Sequence, residues 1–426
     1  MTTKIVENYY IKTQFTENKF QFAEEELFLM ATRINKKRKF LFVSTVLGKH
    51  LAVKAAVPQL TGRLLAMLLA DDLQQMQTAV DGMKGVTEPN NALKKLHQIE
   101  AAVPTLFIGF AETATALGHA TFSHFSNNAY YVHTTREQLI SQVEILTFEE
   151  EHSHATSHRL YGDSQQPFER IVLIDDEIST GKTLYNIIGI LKEAFPTVKN
   201  YAVLSILNWL SQENEARLKS LGPIEFHSIV KGQFECIGEP LLVEAAELPT
   251  EIVPIISHLP VKTVLPTIAG CSIDEGQQQN NADYLQQTGR FMMAAEDYNH
   301  EAIKQLATEL KEHCTNGKTV VIGTGEFMYI PMQIAAELGD DVYFHATTRS
   351  PIHVEKAPYT ITQKLCFDSP ENSGVENYLY NLATYKYEQA FVFVERAKDI
   401  QALQSLKNAL AMTNIPKIMI IVLSGV

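Results

Sequence analysis

Apolar residues fall along this chain in short runs rich in Val, Ile and Phe, separated by longer stretches in which they recur at helical spacing. Such runs suit strands buried on both faces, and the helical stretches supply the crossovers that parallel pairing needs. The pattern predicts an α/β protein. Strands are expected at Thr105 to Phe110, Tyr130 to His133, Ile171 to Ile174, Tyr201 to Ile206, Phe391 to Val394 and Ile418 to Leu423, with helices after Glu112 and after Thr183. The first four strands end in small, polar or acidic residues. In open parallel sheets ligands collect at the carboxyl ends of strands, so chemistry is sought there.

The pattern also repeats. Thr105 to Glu137 is echoed by Thr319 to Pro351: strand, Gly-x-x-Glu turn, helix, strand, then Thr-Thr-Arg. Arg136 follows Gly109 by 27 residues and Arg349 follows Gly323 by 26, with Glu112 and Glu326 at the same offset from their glycines. A duplicated unit is expected. Between the repeats, Pro249, Pro254, Pro260 and Pro266 precede a polar stretch, Gly276 to Asp283. This reads as an interdomain connection or as an extended edge segment packed on the first domain. The expected division is 1–247, a connection over 248–283, and 284–426.

Composition narrows the class. At 426 residues, 45% hydrophobic, the chain has material for roughly two to three domains. With 36 Lys and Arg against 49 Asp and Glu, the net charge of -13 gives no support to general nucleic-acid binding, so any phosphate must be held locally. Four dispersed cysteines without zinc spacing fit a reducing cytoplasm. The polar start, MTTKIVENYYIKTQF, does not read as a signal peptide, and no apolar run approaches the ~20 residues of a membrane span.

The most specific segment runs from Arg170 to Leu184. An apolar strand delivers Asp175, Asp176 and Glu177, then a short loop, then a helix whose first N–H groups face back at the loop. The amides of Ser179, Thr180, Gly181, Lys182 and Thr183, with their hydroxyls, suit a phosphate monoester, while Asp175 and Asp176 suit vicinal sugar hydroxyls. Gly181-Lys182-Thr183 ends like a nucleotide P-loop, but that motif needs glycine at position 176, where this chain has Asp176. A plain capped turn would leave the consecutive acids unexplained.

This segment closely resembles the PRPP-binding motif of type I phosphoribosyltransferases. With Ser44-Thr45-Val-Leu-Gly48-Lys49-His50, Gly109-Phe-Ala-Glu112-Thr113, Thr134-Thr135-Arg136-Glu137 and Thr348-Arg349-Ser350-Pro351, the chain resembles orotate-type phosphoribosyltransferases with a C-terminal TRSP domain. Those are associated with bacterial tellurium-resistance stress operons. The resemblance implies a type I phosphoribosyltransferase-like parallel sheet with flanking helices and an N-terminal hood, followed by a second α/β, Rossmann-like TRSP domain.

It also implies roles. Gly109, Phe110, Ala111, Glu112 and Thr113 would form the pyrophosphate loop, with Arg136 beside it and Lys49 or His50 closing from the hood. The polar stretch Glu149 to Arg159 would be a mobile lid. No lysine lies between Arg136 and Ile171, so His158 and Arg159 are the candidates to meet pyrophosphate; the irregular spacing of His152, His154 and His158 favours a lid over a metal site. In the second half Glu326, Thr348, Arg349 and Ser350 would bind the acceptor, the product or a partner, or fix the domain interface. The strand Phe391 to Val394 runs into Glu395-Arg396-Ala397-Lys398, without a cradle, so a second PRPP site is not expected.

The function implied is magnesium-dependent transfer of phosphoribose from PRPP to a nitrogenous acceptor, with pyrophosphate released and a nucleotide-like product. Magnesium would be held mainly by PRPP and water, without a protein metal site. The alternative is a non-catalytic sensor binding PRPP or a nucleotide. A homodimer and proteins of the same operon stand as further candidate partners; the identity of the acceptor is left open.

Overall fold

A computed structural model of the chain describes residues 2–6, 8–34, 38–149, 157–163, 165–240, 252–261, 265–273, 277, 279–355, 359–372 and 374–424. Thr105–Gly109, Ala129–His133, Arg170–Ile178, Asn200–Asn208 and Ile224–Gly238 pair in parallel because their apolar runs leave two faces to cover. Helices such as Val57–Ala70, Ala114–Phe122 and Lys182–Ala194 help cover them. In space the order is second, first, third, fourth, fifth, so the winding reverses between Thr105–Gly109 and Arg170–Ile178. Tyr9–Glu17 extends one edge antiparallel, and the hairpin Phe28–Thr32 with Phe40–Ser44 packs Phe28 and Phe42 against Trp209.

The second half repeats the order. Val342–Ala346, Thr319–Gly323, Gln389–Val394 and Lys417–Val422 are neighbours in a second parallel sheet. The repeat extends to single bonds. Ala111 N–H donates to Thr134 Oγ1 and Gly325 N–H to Thr347 Oγ1, both at 2.8 Å. The Tyr161 hydroxyl donates to the Glu137 carbonyl and the Tyr380 hydroxyl to that of Ser350.

The halves are not independent bodies. Val53–Lys54, early in the chain, pairs antiparallel with Val342–Ala346, while Met293–Ala294 pairs with Ala129–His133, so each sheet borrows an edge strand from the other half. One apolar cluster runs through both, including Leu60, Phe107, Tyr329 and Phe344, and the His119 ring stacks on Tyr329 with centroids 3.8 Å apart. Within 248–283, the described residues are edge structure: Ile255–His258 lies parallel to Lys417–Val422, and Thr267–Ile273 forms a hairpin with Gln279–Leu285. No helix among the described residues is long and apolar enough to cross a membrane.

Candidate active site

The strand Arg170–Ile178 outruns its neighbour. Thr105–Gly109 stops pairing at Ile174, although Phe110 N–H still donates to the Ile174 carbonyl at 3.1 Å. On its other side the ladder continues through Ser205, Leu207 and Asn208. The strand expected to end at Ile174 therefore reaches Ile178, because one neighbour is enough to hold it extended. Asp175, Asp176 and Glu177 consequently stand on a strand, where they line a cleft of about 1080 Å³ at the reversal of the sheet.

Asp175 Oδ1 accepts the Asp176 N–H at 3.0 Å. Burial pushes the Asp176 carboxyl up, against the hydrogen bond from Asp175 and the positive charges of Arg38 and Lys49. Burial also raises Glu177, although Arg38 Nη2 sits 2.7 and 2.8 Å from its two oxygens. Gly181 adopts φ +70°, and a Cβ there would come within 2.8 Å of Leu218. The helix Lys182–Ala194 then starts without a side-chain cap, and Ser179 to Thr183 all line the cleft. Lys182 N–H makes only a long 3.5 Å contact to Thr180 Oγ1, and the remaining first-turn N–H groups and the dipole make this end a seat for an oxyanion.

Opposite lies the turn after Gly109. A Cβ on Gly109 would lie 2.5 Å from the Ala114 carbonyl oxygen, so this glycine shapes the turn while Phe110, Ala111, Glu112 and Thr113 line the cleft. Glu112 accepts from the Lys49 ammonium and from the backbone N–H of Arg349 at 3.2 Å, and Arg136 Nη1 stands 3.8 Å away as a further positive charge. Lys49 also donates to the Thr347 carbonyl at 2.6 Å and is 2% exposed. Burial lowers its pKa while Glu112 opposes the shift. Expected at the cleft, Lys49 instead lies beneath the turn, because a buried Glu112 demands a counter-charge.

The halves reciprocate. Glu326 accepts the Thr135 hydroxyl at 2.6 Å and the Arg136 N–H at 3.1 Å, so it belongs to the interface, while Thr348, Arg349 and Ser350 line the first-half cleft. Burial would raise Glu326, but His133 and Arg290 outweigh it and hold the carboxyl at about 2.

His158 and Arg159 depart from the lid expectation. Residues 150–156 lie outside the described residues, but Ser157–Tyr161 is a strand paired with Glu144–Glu149, and its alternation turns His158 and Leu160 inward. His158 is 0% exposed, stacked on Phe148, with Nδ1 3.2 Å from Thr134 Oγ1; burial first, then Arg136, pulls its pKa down to about 4. Arg159 lies 3.5 Å from Glu144, and neither residue lines the cleft.

Some wall residues were missed. Arg38, Phe40 and Phe234 line the hood side, and Gly374, Val375 and Glu376 reach in from the second half. The only sequence signal for Arg38 was the basic run Lys36 to Lys39 between two apolar strands; Gly374 to Glu376 offered none.

The corresponding place in the second half is filled. Arg290 holds Glu395 at 2.7 Å and Glu137 at 3.3 Å, while Arg396 pairs with Glu137 and lies over the Tyr284 ring at 4.2 Å. By strand register Phe393 takes the place of Ile174, so Val394, Glu395 and Arg396 stand where the first half has Asp175, Asp176 and Glu177, and the ion pairs of Glu395 and Arg396 occupy the space beside them.

Comparison with known proteins places two families on this chain. Residues 27–233 match a family described as phosphoribosyl transferase, and residues 287–410 match the TRSP domain, described as C-terminal to that transferase domain. No curated protein matches. Similar solved structures include adenine phosphoribosyltransferase of Trypanosoma brucei, in complex with AMP, pyrophosphate and ribose-5-phosphate: 11% identity, TM-score 0.29, covering 54% of this chain and 86% of that one. Adenine phosphoribosyltransferase of Rhodothermus marinus has 17% identity and TM-score 0.24 over 40% and 78%. A hypoxanthine phosphoribosyltransferase of Staphylococcus aureus has 12% and 0.22 over 40% and 71%.

Proposed function

The chain belongs to the family that joins a phosphoribosyl transferase domain to a C-terminal TRSP domain, and from that premise we propose that it transfers phosphoribose from PRPP to a nitrogenous acceptor. One observation carries the reading: Asp175 and Asp176 share a cleft with the uncapped helix start at Ser179 to Thr183 and with the turn Phe110 to Thr113.

In this reading the 5-phosphate sits on the amides and hydroxyls of Ser179 to Thr183, and the two aspartates accept hydrogen bonds from the ribose hydroxyls. The acceptor nitrogen forms a bond to C1 as the C1–O bond breaks, its electron pair leaving with pyrophosphate and the acceptor proton passing to water. The turn amides and Arg136 receive the growing negative charge. Glu112 would repel that leaving group, so Lys49 acts as a positioning residue that neutralises it from beneath.

A hard divalent cation fits the carboxylate oxygens available here. Magnesium would take most of its ligands from substrate phosphates and water, with these carboxylates beside it. When bound it would neutralise phosphate charge beside Asp175 and Asp176.

Calorimetry with PRPP and magnesium is expected to give saturable binding, and adding the small-molecule fraction of a cell extract is expected to release pyrophosphate. Binding without release would instead mean a sensor, and absence of binding would remove both readings. Arg349 lines the cleft from the second half. If it touches the pyrophosphate end, Arg349→Met loses a charge-assisted contact of ~1.5–3 kcal/mol, a roughly ten- to hundred-fold weaker PRPP affinity, at unchanged thermal stability. Unchanged affinity would restrict the second half to a structural part.

A further inference from the structure

A second cavity of about 720 Å³, sharing no lining residue with the cleft, opens between Val57–Ala70 and Pro89–Lys95 of the first half and His300–Lys311 and Tyr329–Leu338 of the second. Its charged lining is uneven. Glu301, Glu337 and Asp340 are exposed at the rim, where Glu301 pairs with Lys304 at 2.7 Å and Asp340 accepts the Asn90 amide at 2.9 Å.

Deeper in stands Arg63. Its Nε is closed to solvent without a hydrogen-bond partner, Nη1 reaches only the Leu96 carbonyl at 3.5 Å, and it forms no ion pair among the described residues. Other guanidinia described above face carboxylates: Arg38 faces Glu177, Arg290 faces Glu395, and Arg396 faces Glu137. Burial lowers the Arg63 pKa, and only the Tyr329 hydroxyl opposes this; His300, at the same cavity, is lowered first by burial and then by Arg63 and Lys304.

Desolvating a guanidinium without a counter-charge is unfavourable, and a bound anion removes the penalty. Polar donors stand around it. Gln59 and Gln333 are buried in the same lining, and Gln333 Oε1 accepts the Tyr298 hydroxyl, which leaves its NH2 end to donate; Lys94 and Lys311 stand at the rim. A planar fork with several further donors suits the three oxygens of a phosphate group better than the two of a carboxylate. The volume exceeds a free phosphate ion and suits a metabolite carrying one.

We propose that this cavity is a second binding site, separate from the catalytic cleft, for a small phosphate-bearing metabolite whose phosphate seats on Arg63. The occupant would touch both halves at once.

The test is thermal unfolding of the full chain with inorganic phosphate as probe at 0 to 20 mM, ionic strength held constant, in wild type, Arg63→Met and Thr180→Val. Methionine keeps the apolar stem and removes the unpaired charge, so Arg63→Met should fold with unchanged or higher Tm without phosphate. Phosphate should raise Tm in wild type and in Thr180→Val, where the cleft cradle is impaired, and the rise should be lost or at least halved in Arg63→Met. A rise of equal size in Arg63→Met, or no rise in wild type, overturns the site. A rise lost only in Thr180→Val assigns phosphate to the cleft alone, which overturns this site and leaves the catalytic reading intact.

Discussion

Asparagine at both Asp175 and Asp176 is expected to weaken PRPP binding by about 10² to 10⁴ while leaving the fold in place. Each charged hydrogen bond to a ribose hydroxyl contributes ~1.5–3 kcal/mol, so losing two removes about 3–6 kcal/mol of binding. The fold tolerates the change for a local reason. Burial already disfavours the Asp176 charge, and the Asp175 oxygen that accepts the Asp176 N–H has a counterpart in the asparagine carbonyl. Calorimetric titration with PRPP, beside thermal unfolding, makes the measurement. Loss of cooperative unfolding would make the pair structural, and unchanged affinity would move the ribose elsewhere.

Acid should destabilise the protein well before carboxylates of ordinary pKa are protonated. His124, His158 and His345 are 0%, 0% and 1% exposed, and burial, the leading cause in each, lowers their pKa values from 6.5 to about 3, 4 and 4. The unfolded chain takes up these protons below pH 6.5 and the folded chain does not. Their stabilising contribution is therefore complete above pH 6.5 and declines as pH falls towards 4. At pH 5 each loses about 2 kcal/mol, or about 6 together.

Glu371 works in the opposite direction. Burial, ahead of the opposing Arg396 charge, raises it to about 7, so its protonation below that pH returns about 2–3 kcal/mol at pH 5. From these four groups alone a loss of about 3–4 kcal/mol between pH 7.5 and pH 5 is expected in urea unfolding. Buried His50 and His119 act in the same direction, and Glu371→Gln, which removes the offset, should steepen the loss. A profile flat between those pH values, or one that flattens in Glu371→Gln, would contradict the assignment.

The buried histidines also mark where sequence reading reached its limit. His158 sits in a polar neighbourhood that reads as loop, and only the two-residue alternation of Ser157–Tyr161 signals that it faces inward. Five residues of alternation weigh little against a run of acids and histidines. Lys49 is a similar case: its place after Gly48 is compatible with a residue closing over pyrophosphate or with a solvated turn, whereas the fold buries it against Glu112, 63 residues away.

Sequence alone determined what lies within one strand, turn and helix. The alternation of apolar strands and helices, the repeat from Thr105 and Thr319, and the strand–loop–helix segment from Asp175 to Thr183 are each contiguous in the chain, so hydrophobic period and local backbone chemistry suffice to lay them out. Tertiary structure decided how the second half meets the first. Arg349 meets Glu112 across 237 residues, and Glu326 meets Thr135 across 191. Strands Val53–Lys54 and Met293–Ala294 cross into the opposite sheets. Arg63, on a helix whose sequence reads as ordinary, faces a cavity that exists only where four helices from both halves meet. Such contacts depend on which buried faces remain uncovered once each half has formed, and no local pattern encodes that choice.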